Sequence, residues 1–134
     1  LIVFAAQTDI GDHTVDRYVA QLVKTRGVPA DDISSYVKHM KQALAAKSRE
    51  EKRVWAHQQA YIALGTLLTA AASMRVDSCP MTGFDHQAYD DVLGLAKLGL
   101  ETTAIVALGY RSARDRTSGL PKVRFDYGDM VISV

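Results

Sequence analysis

The chain has a single cysteine, Cys79, so no internal disulfide can brace its fold. Its four histidines share no ligand-like spacing with one another or with that cysteine, which excludes a zinc site of the Cys/His type. Charge of one sign is also lacking. Sixteen Lys and Arg stand against 15 Asp and Glu, a formal net charge of +1, and no global basic field of the kind that draws nucleic acid follows from that balance. No run is fit to span a bilayer: the longest candidate, Trp55 to Met74, carries His57, Gln58, Gln59, Thr66, Thr69 and Ser73, each needing a partner in hydrocarbon. The opening "LIVFAA" has no basic leader and no small-residue cleavage site after a longer apolar core, so it does not read as a signal peptide. Repeats and low-complexity tracts are absent. With one cysteine and no membrane or export signal, a reducing, cytoplasmic setting is the default expectation.

What remains is a chain that is 48% hydrophobic and 23% charged, enough for one domain, residues 1–134, with one core. "LIVFAA" reads as a strand covered on both faces. Such a strand is normally interior to a sheet and not the first element a domain makes, so sequence preceding Leu1 is expected. Val15, Tyr18, Val19 and Leu22 form a helical stripe within Thr14 to Arg26, broken by Gly27 and Pro29. Asp31 or Asp32 can cap a second helix with Ile33, Tyr36, Val37, Met40 and Leu44 on one side. "KSREEKR", 47–53, reads as a solvated linker. Trp55 to Met74 follows as a long central helix packed on most sides; Ala63, Gly65, Ala70, Ala71 and Ala72 keep its surface thin, for a neighbour in an oligomer or within one subunit. "RVDSCPM" and "TTAIVALGY" read as strands, with a helix from Asp85 to about Leu95 between them. "SARDRTSGLP" is a loop and "MVISV" a third short strand. The sum is an α+β fold of α/β-type three-layer construction, a mixed sheet flanked by helices.

Two stretches carry residue choices that scaffold alone does not require. In "SCPMTGFDHQ", Pro80 stiffens the backbone and Gly83 frees it, a choice that raises the question of what the main chain between them faces; an ordinary strand-to-helix turn has the same composition. In "LPKVRFD", Lys122 and Arg124 are two apart, so in an extended segment they project to one side and can converge on one anion. The point charge of Lys and the fork of Arg suit a monophosphate, and a solvated surface pair has the same spacing. Cys79 reads as a small buried packing residue. The four histidines read as solvent or helix-surface residues.

The order "WAHQQAYIALGTLLTAAASMRVDSCPMTGFD", "LGL", "AIVALGYRSARD", "LPKVRFDYGDMV" resembles the C-terminal part of the nitroreductase family, in its oxygen-insensitive NAD(P)H nitroreductase and dihydropteridine reductase branch. The resemblance is close from Trp55 to Val134 and loose from Leu1 to Arg53. It implies an FMN-dependent oxidoreductase working as a homodimer, with the long helix at the dimer interface and two flavins held between subunits. NAD(P)H is the implied co-substrate, and a nitroaromatic, a quinone or another flat small-molecule electron acceptor the second substrate. In the family, the loop matching Pro80, Met81, Thr82 and Gly83 runs along the flavin ring and offers it a backbone amide; Thr82 stands where many relatives carry Glu. The resemblance likewise assigns Lys122 and Arg124 to the FMN phosphate, and Tyr36 and Met40 to a helix over the substrate channel. It places Trp55, Gln59 and Tyr61 in packing or near the partner's flavin. It implies no catalytic side chain and no metal. The family's N-terminal Arg-x-Ser segment and its Lys near the flavin's pyrimidine end have no counterpart here. A non-enzymatic flavin- or nucleotide-binding module, or a dimeric scaffold without a complete site, is the alternative.

Overall fold

The computed structural model describes residues Leu1–Val134. Its centre is the strand the sequence marks most clearly, "LETTAIVALG". Thr102 to Val106 are five consecutive buried residues, which requires cover on both faces of the strand. This strand, β3 (Leu100–Gly109), lies between β1 (Ile2–Gln7) and β2 (Asp77–Met81), and both neighbours run antiparallel to it. The α+β class therefore stands, while the sheet is antiparallel throughout and not mixed. β1 is an edge strand and not an interior one. Its apolar run reflects one face laid against a helix, with Ala6 buried and Val3 to Ala5 half-buried.

The β1–β3 register slips between Phe4 and Ala5, opposite Ala104 and Thr102, leaving Thr103 as an extra residue on β3. That bulge turns Thr103 toward the long helix α3 (Arg49–Ser73), whose His57 Nδ1 lies 2.8 Å from Thr103 Oγ1. Thr102 is held from another side. Its N–H donates to Oδ1 of Asp90 at 2.8 Å and its hydroxyl to the same oxygen at 2.5 Å. Asp90 belongs to α4 (His86–Leu93), which packs on β3 together with the short turn Leu95–Leu98.

α3 crosses all three strands, and Leu64 packs into a buried cluster with Ala104 and Val106. Its beginning corrects the linker reading of residues 47–53. Ser48 accepts from the Glu51 N–H at 3.2 Å and donates its own N–H to the Glu51 carboxylate at 2.7 Å. This reciprocal cap, with Glu50 and Glu51 against the helix dipole, converts the charge run into the first turns of α3. The hydroxyls of Thr66, Thr69 and Ser73 donate to carbonyls one turn back, which satisfies them on the helix itself. No helix is long and apolar enough to cross a membrane. Within the chain α3 buries only Ala56, Leu64 and Ala71, so it is not packed on most sides: Val54, Trp55, Tyr61 and Ile62 are exposed.

The helices α1 (Asp12–Arg26) and α2 (Ser34–Ala45) pack on each other, joined by Lys41 Nζ at 2.6 Å from Asp16 Oδ1. Leu44 of α2 carries them onto the cluster of Ala6, Ile10 and Ala56. At the other end, "MVISV" is not a strand. The short helix α5 (Tyr127–Met130) takes its first residue, and Val131 to Val134 are exposed with no partner strand. Cys79 is exposed, because β2 is the opposite edge strand.

Val106 is fully buried between β3 and α3. Val106→Ala removes two methyl groups and leaves a cavity, for a loss of about 2 kcal/mol in urea unfolding. The exposed Val92→Ala should stay within about 0.5 kcal/mol of the parent. Equal losses at the two positions would show that β3 is not the centre of the core.

Candidate functional site

The antiparallel register places Asp77, the first residue of β2, opposite Gly109 at the end of β3. Arg111 follows two residues later and closes on the Asp77 carboxylate. Its backbone N–H donates at 3.0 Å and its Nε at 2.8 Å to Oδ2, and Nη2 bonds to Oδ1. The side-chain bonds from Arg111, then its backbone N–H, hold the Asp77 carboxyl at about 2, well below its ordinary 3.8. From Ser112 onward the hydrogen bonds stay within the tail, as between Asp115 and Thr117 or Asp126 and Asp129. Asp77 and Arg111 are thus the polar clamp between the tail and the body of the domain.

Beyond the clamp the tail brings Lys122 and Arg124 to one depression of about 840 Å³, shared with Arg75, Arg111, Asp77, Ser78 and the end of α3. Both residues therefore border one depression. Asp77 compensates Arg111, whereas Arg75, Lys122 and Arg124 take part in none of the chain's ion pairs. The result is a surface with excess positive charge, suited to an oxyanion. A second depression of about 510 Å³ shares Asp77, Ser78, Arg111 and Lys122 and extends along β2 to Cys79.

Pro80 and Met81 close β2 opposite Val106 and Ile105, and Thr82 and Gly83 follow, both exposed. At roughly 3.3 Å per residue, Met81 stands about 13 Å along the strand from Asp77. None of the four lines the cationic depression. The loop is braced from behind. His86 stands between two carbonyl oxygens, with Nε2 at 3.2 Å from that of Thr82 and Nδ1 at 3.0 Å from that of Thr102, and the single N–H of a neutral ring donates to one of the two. Its ring stacks on Phe84 at 4.2 Å between centroids, and Phe84 in turn meets Tyr89 edge-on. Gly83 is not in the left-handed region, and nothing lies within 4 Å of a Cβ built on it. The chain's own packing does not demand glycine there.

Two of the histidines expected at the surface are thus bonded and half-buried. The second, His57, also places Nε2 at 2.9 Å from Glu101, which accepts from Arg53 Nε at 2.8 Å. Burial pushes the Glu101 carboxyl up most strongly, but the bonds and charges of Arg53 and His57 together outweigh it and leave a net lowering. These groups, with Tyr61, His86 and Asp90, line a polar cleft of about 470 Å³. No buried side-chain polar atom lacks a partner, and no cluster of His, Cys, Asp or Glu is placed to hold a metal ion. The cleft is accordingly a bonded network that ties α3 to β3.

Tyr36 and Met40 sit apart from the rest. Met40 lines an apolar groove of about 300 Å³ with Val15, Tyr18, Leu44 and Trp55, while Tyr36 is exposed on α2 and does not line it. The chain's fold does not bring them to the cationic depression or the Pro80 to Gly83 loop. Conversely, Arg75, Asp77 and Arg111 line the depression and escape a reading by local spacing. The β2–β3 register, which places Asp77 beside the end of β3, reveals Asp77 and Arg111, and the end of α3 places Arg75 beside them.

An antiparallel α+β domain with a cationic depression at one end of an edge strand and an open loop at the other is the class these features define. The chain belongs to the nitroreductase family, whose profile, described as "Nitroreductase family", matches residues 12–110. That span includes the Pro80 to Gly83 loop and stops short of Lys122 and Arg124. The chain is 28% identical over 127 residues to the oxygen-insensitive NAD(P)H nitroreductase of Salmonella typhimurium, covering 92% of this chain and 58% of the relative. A candidate nitroreductase of Bacillus subtilis, ydfN, superposes with a TM-score of 0.79 at 16% identity, over 97% of this chain and 61% of that one. A candidate NAD(P)H:FMN oxidoreductase of Staphylococcus epidermidis gives a TM-score of 0.74 at 17% identity, over 91% and 55% of the two chains. The chain spans less than two thirds of the length of each of these proteins.

The clamp has a pH signature. Because Asp77 titrates at about 2 in the folded chain against 3.8 ordinarily, its ionic contribution is complete above about pH 4 and lost as pH falls through 2. Thermal melts should show a wild-type advantage over Asp77→Asn that is constant from about pH 7 to 5, shrinks below about pH 4 and vanishes near pH 2. A gap of unchanged size down to pH 2 would mean that the carboxylate charge is not what holds Arg111.

Proposed function

We propose that this chain binds FMN and, as part of a homodimer, serves to move hydride from NAD(P)H to a flat small-molecule acceptor such as a nitroaromatic or a quinone. The observation that carries the reading is the convergence of Lys122 and Arg124 on one cationic depression, with the Pro80 to Gly83 loop at the far end of the same strand. The separation along β2 is on the scale of a ribityl phosphate joined to a ring. The donor set of ammonium and guanidinium groups fits a phosphate dianion. The open space at Gly83 fits the close approach of a flat group to main chain. Family membership and the name of the Staphylococcus epidermidis structure, which includes FMN, point the same way.

In this reading Lys122 and Arg124 bind the phosphate and Asp77 keeps the tail that carries them against the body. His86 and Phe84 hold the Thr82–Gly83 main chain so that an amide faces the ring. When bound, the flavin supplies the two-electron chemistry, accepting hydride from the nicotinamide and passing it on. The protein's part is position, exclusion of water and electrostatics. The exposed apolar side chains of α3, Trp55, Tyr61 and Ile62 among them, favour a second copy of the chain as the remaining wall of the site.

Purified protein should be yellow and bleach on addition of NAD(P)H; protein that stays colourless in excess FMN would defeat the reading. Charge-assisted contacts to phosphate contribute roughly 1.5–3 kcal/mol each, so Arg124→Ala should weaken FMN binding about ten- to a hundredfold. Riboflavin, which lacks the phosphate, should bind the variant and the parent alike. Equal losses for both ligands would place Arg124 in folding and not in binding.

At the loop, Thr82→Ala removes no amide donor and should leave flavin content and NAD(P)H oxidation within about twofold of the parent. The Cβ that Gly83→Val adds has no atom of the chain within 4 Å, so the protein should fold yet lose flavin. A dead Thr82→Ala beside a fully loaded Gly83→Val would show that the loop acts through a side chain.

A further inference from the structure

Arg75 is the one non-glycine residue of the chain in the left-handed region, at φ 58°. Its position explains why a left-handed residue is needed. α3 ends in a double closure in which the Arg75 N–H donates to the Ala72 carbonyl at 3.0 Å and the Val76 N–H to that of Ala71 at 2.9 Å. This terminator requires positive φ at its first residue past the cap, where glycine is the usual occupant because a Cβ crowds the neighbouring carbonyl. The same chain follows the rule elsewhere, with Gly27 after α1 and Gly94 after α4, both at φ 65°. Of the helix ends closed by a left-handed residue, only that of α3 keeps a side chain, and it is a long cation.

That side chain makes no hydrogen bond or ion pair with the chain, and it lines the depression that holds Lys122 and Arg124. The wall beside it is the C-terminal end of a 25-residue helix, which carries partial negative charge. Helix ends of this polarity repel anions, unlike the N-terminal ends that usually cradle phosphate. An anion in this depression therefore needs a cation set against the helix end itself. Lys122 and Arg124 ride on a tail clamped only through Arg111. Arg75 is fixed to the body by the helix terminator and by β2, which begins two residues later.

We propose that Arg75 is a third ligand of the phosphate-bearing group, resting on the phosphate reading given above. It makes the depression select a phosphate dianion over an uncharged ligand by cancelling the potential of the α3 terminus. The anion then bridges the rigid end of α3 and the tail. A side chain serving only as a cap would be expected to be glycine, so the backbone conformation and the binding role make opposite demands on this position.

That opposition supplies the test. Arg75→Gly, Arg75→Lys and Arg124→Ala are compared with the full-length parent for the melting temperature of ligand-free protein and for the affinities of FMN and riboflavin. Arg75→Gly relieves the backbone, so its ligand-free melting temperature should be equal to or a few degrees above the parent's. Its FMN affinity should fall about tenfold with riboflavin unchanged, the separation expected for loss of one charged phosphate contact. Arg75→Lys keeps both charge and conformation and should hold FMN within about threefold of the parent. If Arg75→Gly binds FMN like the parent while Arg124→Ala does not, Arg75 is a helix cap alone and the inference fails with the phosphate site intact. If Arg124→Ala and Arg75→Gly both lose FMN and riboflavin equally, the phosphate reading fails and takes this inference with it.

Discussion

A single requirement organises the chain: β3 has five consecutive residues that must leave water on both faces, and its two backbone edges must find partners. α3 covers one face through Leu64, and α4 with the turn after it covers the other, while β1 and β2 take the edges. Once those partners are set, the functional geometry follows by register. Pairing Asp77 with Gly109 delivers Arg111 to a carboxylate, and through it the tail to the end of α3. The same register puts Met81 opposite Ile105, so the loop beyond it emerges over the most buried part of the sheet. Site and core are two results of one alignment of strands.

The electrostatic design is unusual in its polarity. Phosphate sites commonly exploit helix N-termini, where unpaired N–H groups and the dipole favour negative charge. Here the depression lies against a C-terminus whose last carbonyls are already bonded, and its positive charge comes from side chains on three separate segments. Asp77 has a double part in that arrangement. It subtracts one charge from the set, yet without it Arg111 and the tail have no polar tie to the domain. A carboxylate inside a cationic depression is thus a structural necessity of a tail that must be brought home.

Much of this was legible in the sequence. The helical spans of α1 and α2, the cap at Asp85, the apolar run of β3 and the family resemblance correspond to what the chain folds into, whereas Tyr18 and Tyr36 of the expected stripes are exposed and neither Asp31 nor Asp32 caps α2, whose N-cap is Ile33. The misreadings share a cause, which is that local pattern reports burial and capping but not who the neighbour is. "LIVFAA" looks the same whether a second strand or a helix covers it. "KSREEKR" looks like a linker until Ser48 and Glu51 are seen as a reciprocal cap. "MVISV" has strand chemistry without a strand to pair with. Lys122 and Arg124 could be found from i, i+2 spacing, whereas Arg75 and Arg111 lie 36 positions apart and meet only through the β2–β3 register. His57 and His86 were likewise invisible, since their partners come from β3.

The tail's single clamp implies a division of the site by kinetics. Amides of Thr102 to Val106 are secured at the centre of the sheet and exchange with solvent only when the whole domain opens. From Ser112 onward, local bonds alone protect the backbone, so that segment samples open forms far more often. A ligand gripped by both parts must therefore recruit a fast-opening strap onto a slow-opening frame, and the entropy of quieting the strap is subtracted from its affinity. In the proposed function, capture and release would then run at the rate of the strap, while the Pro80 to Gly83 loop stays packed against His86.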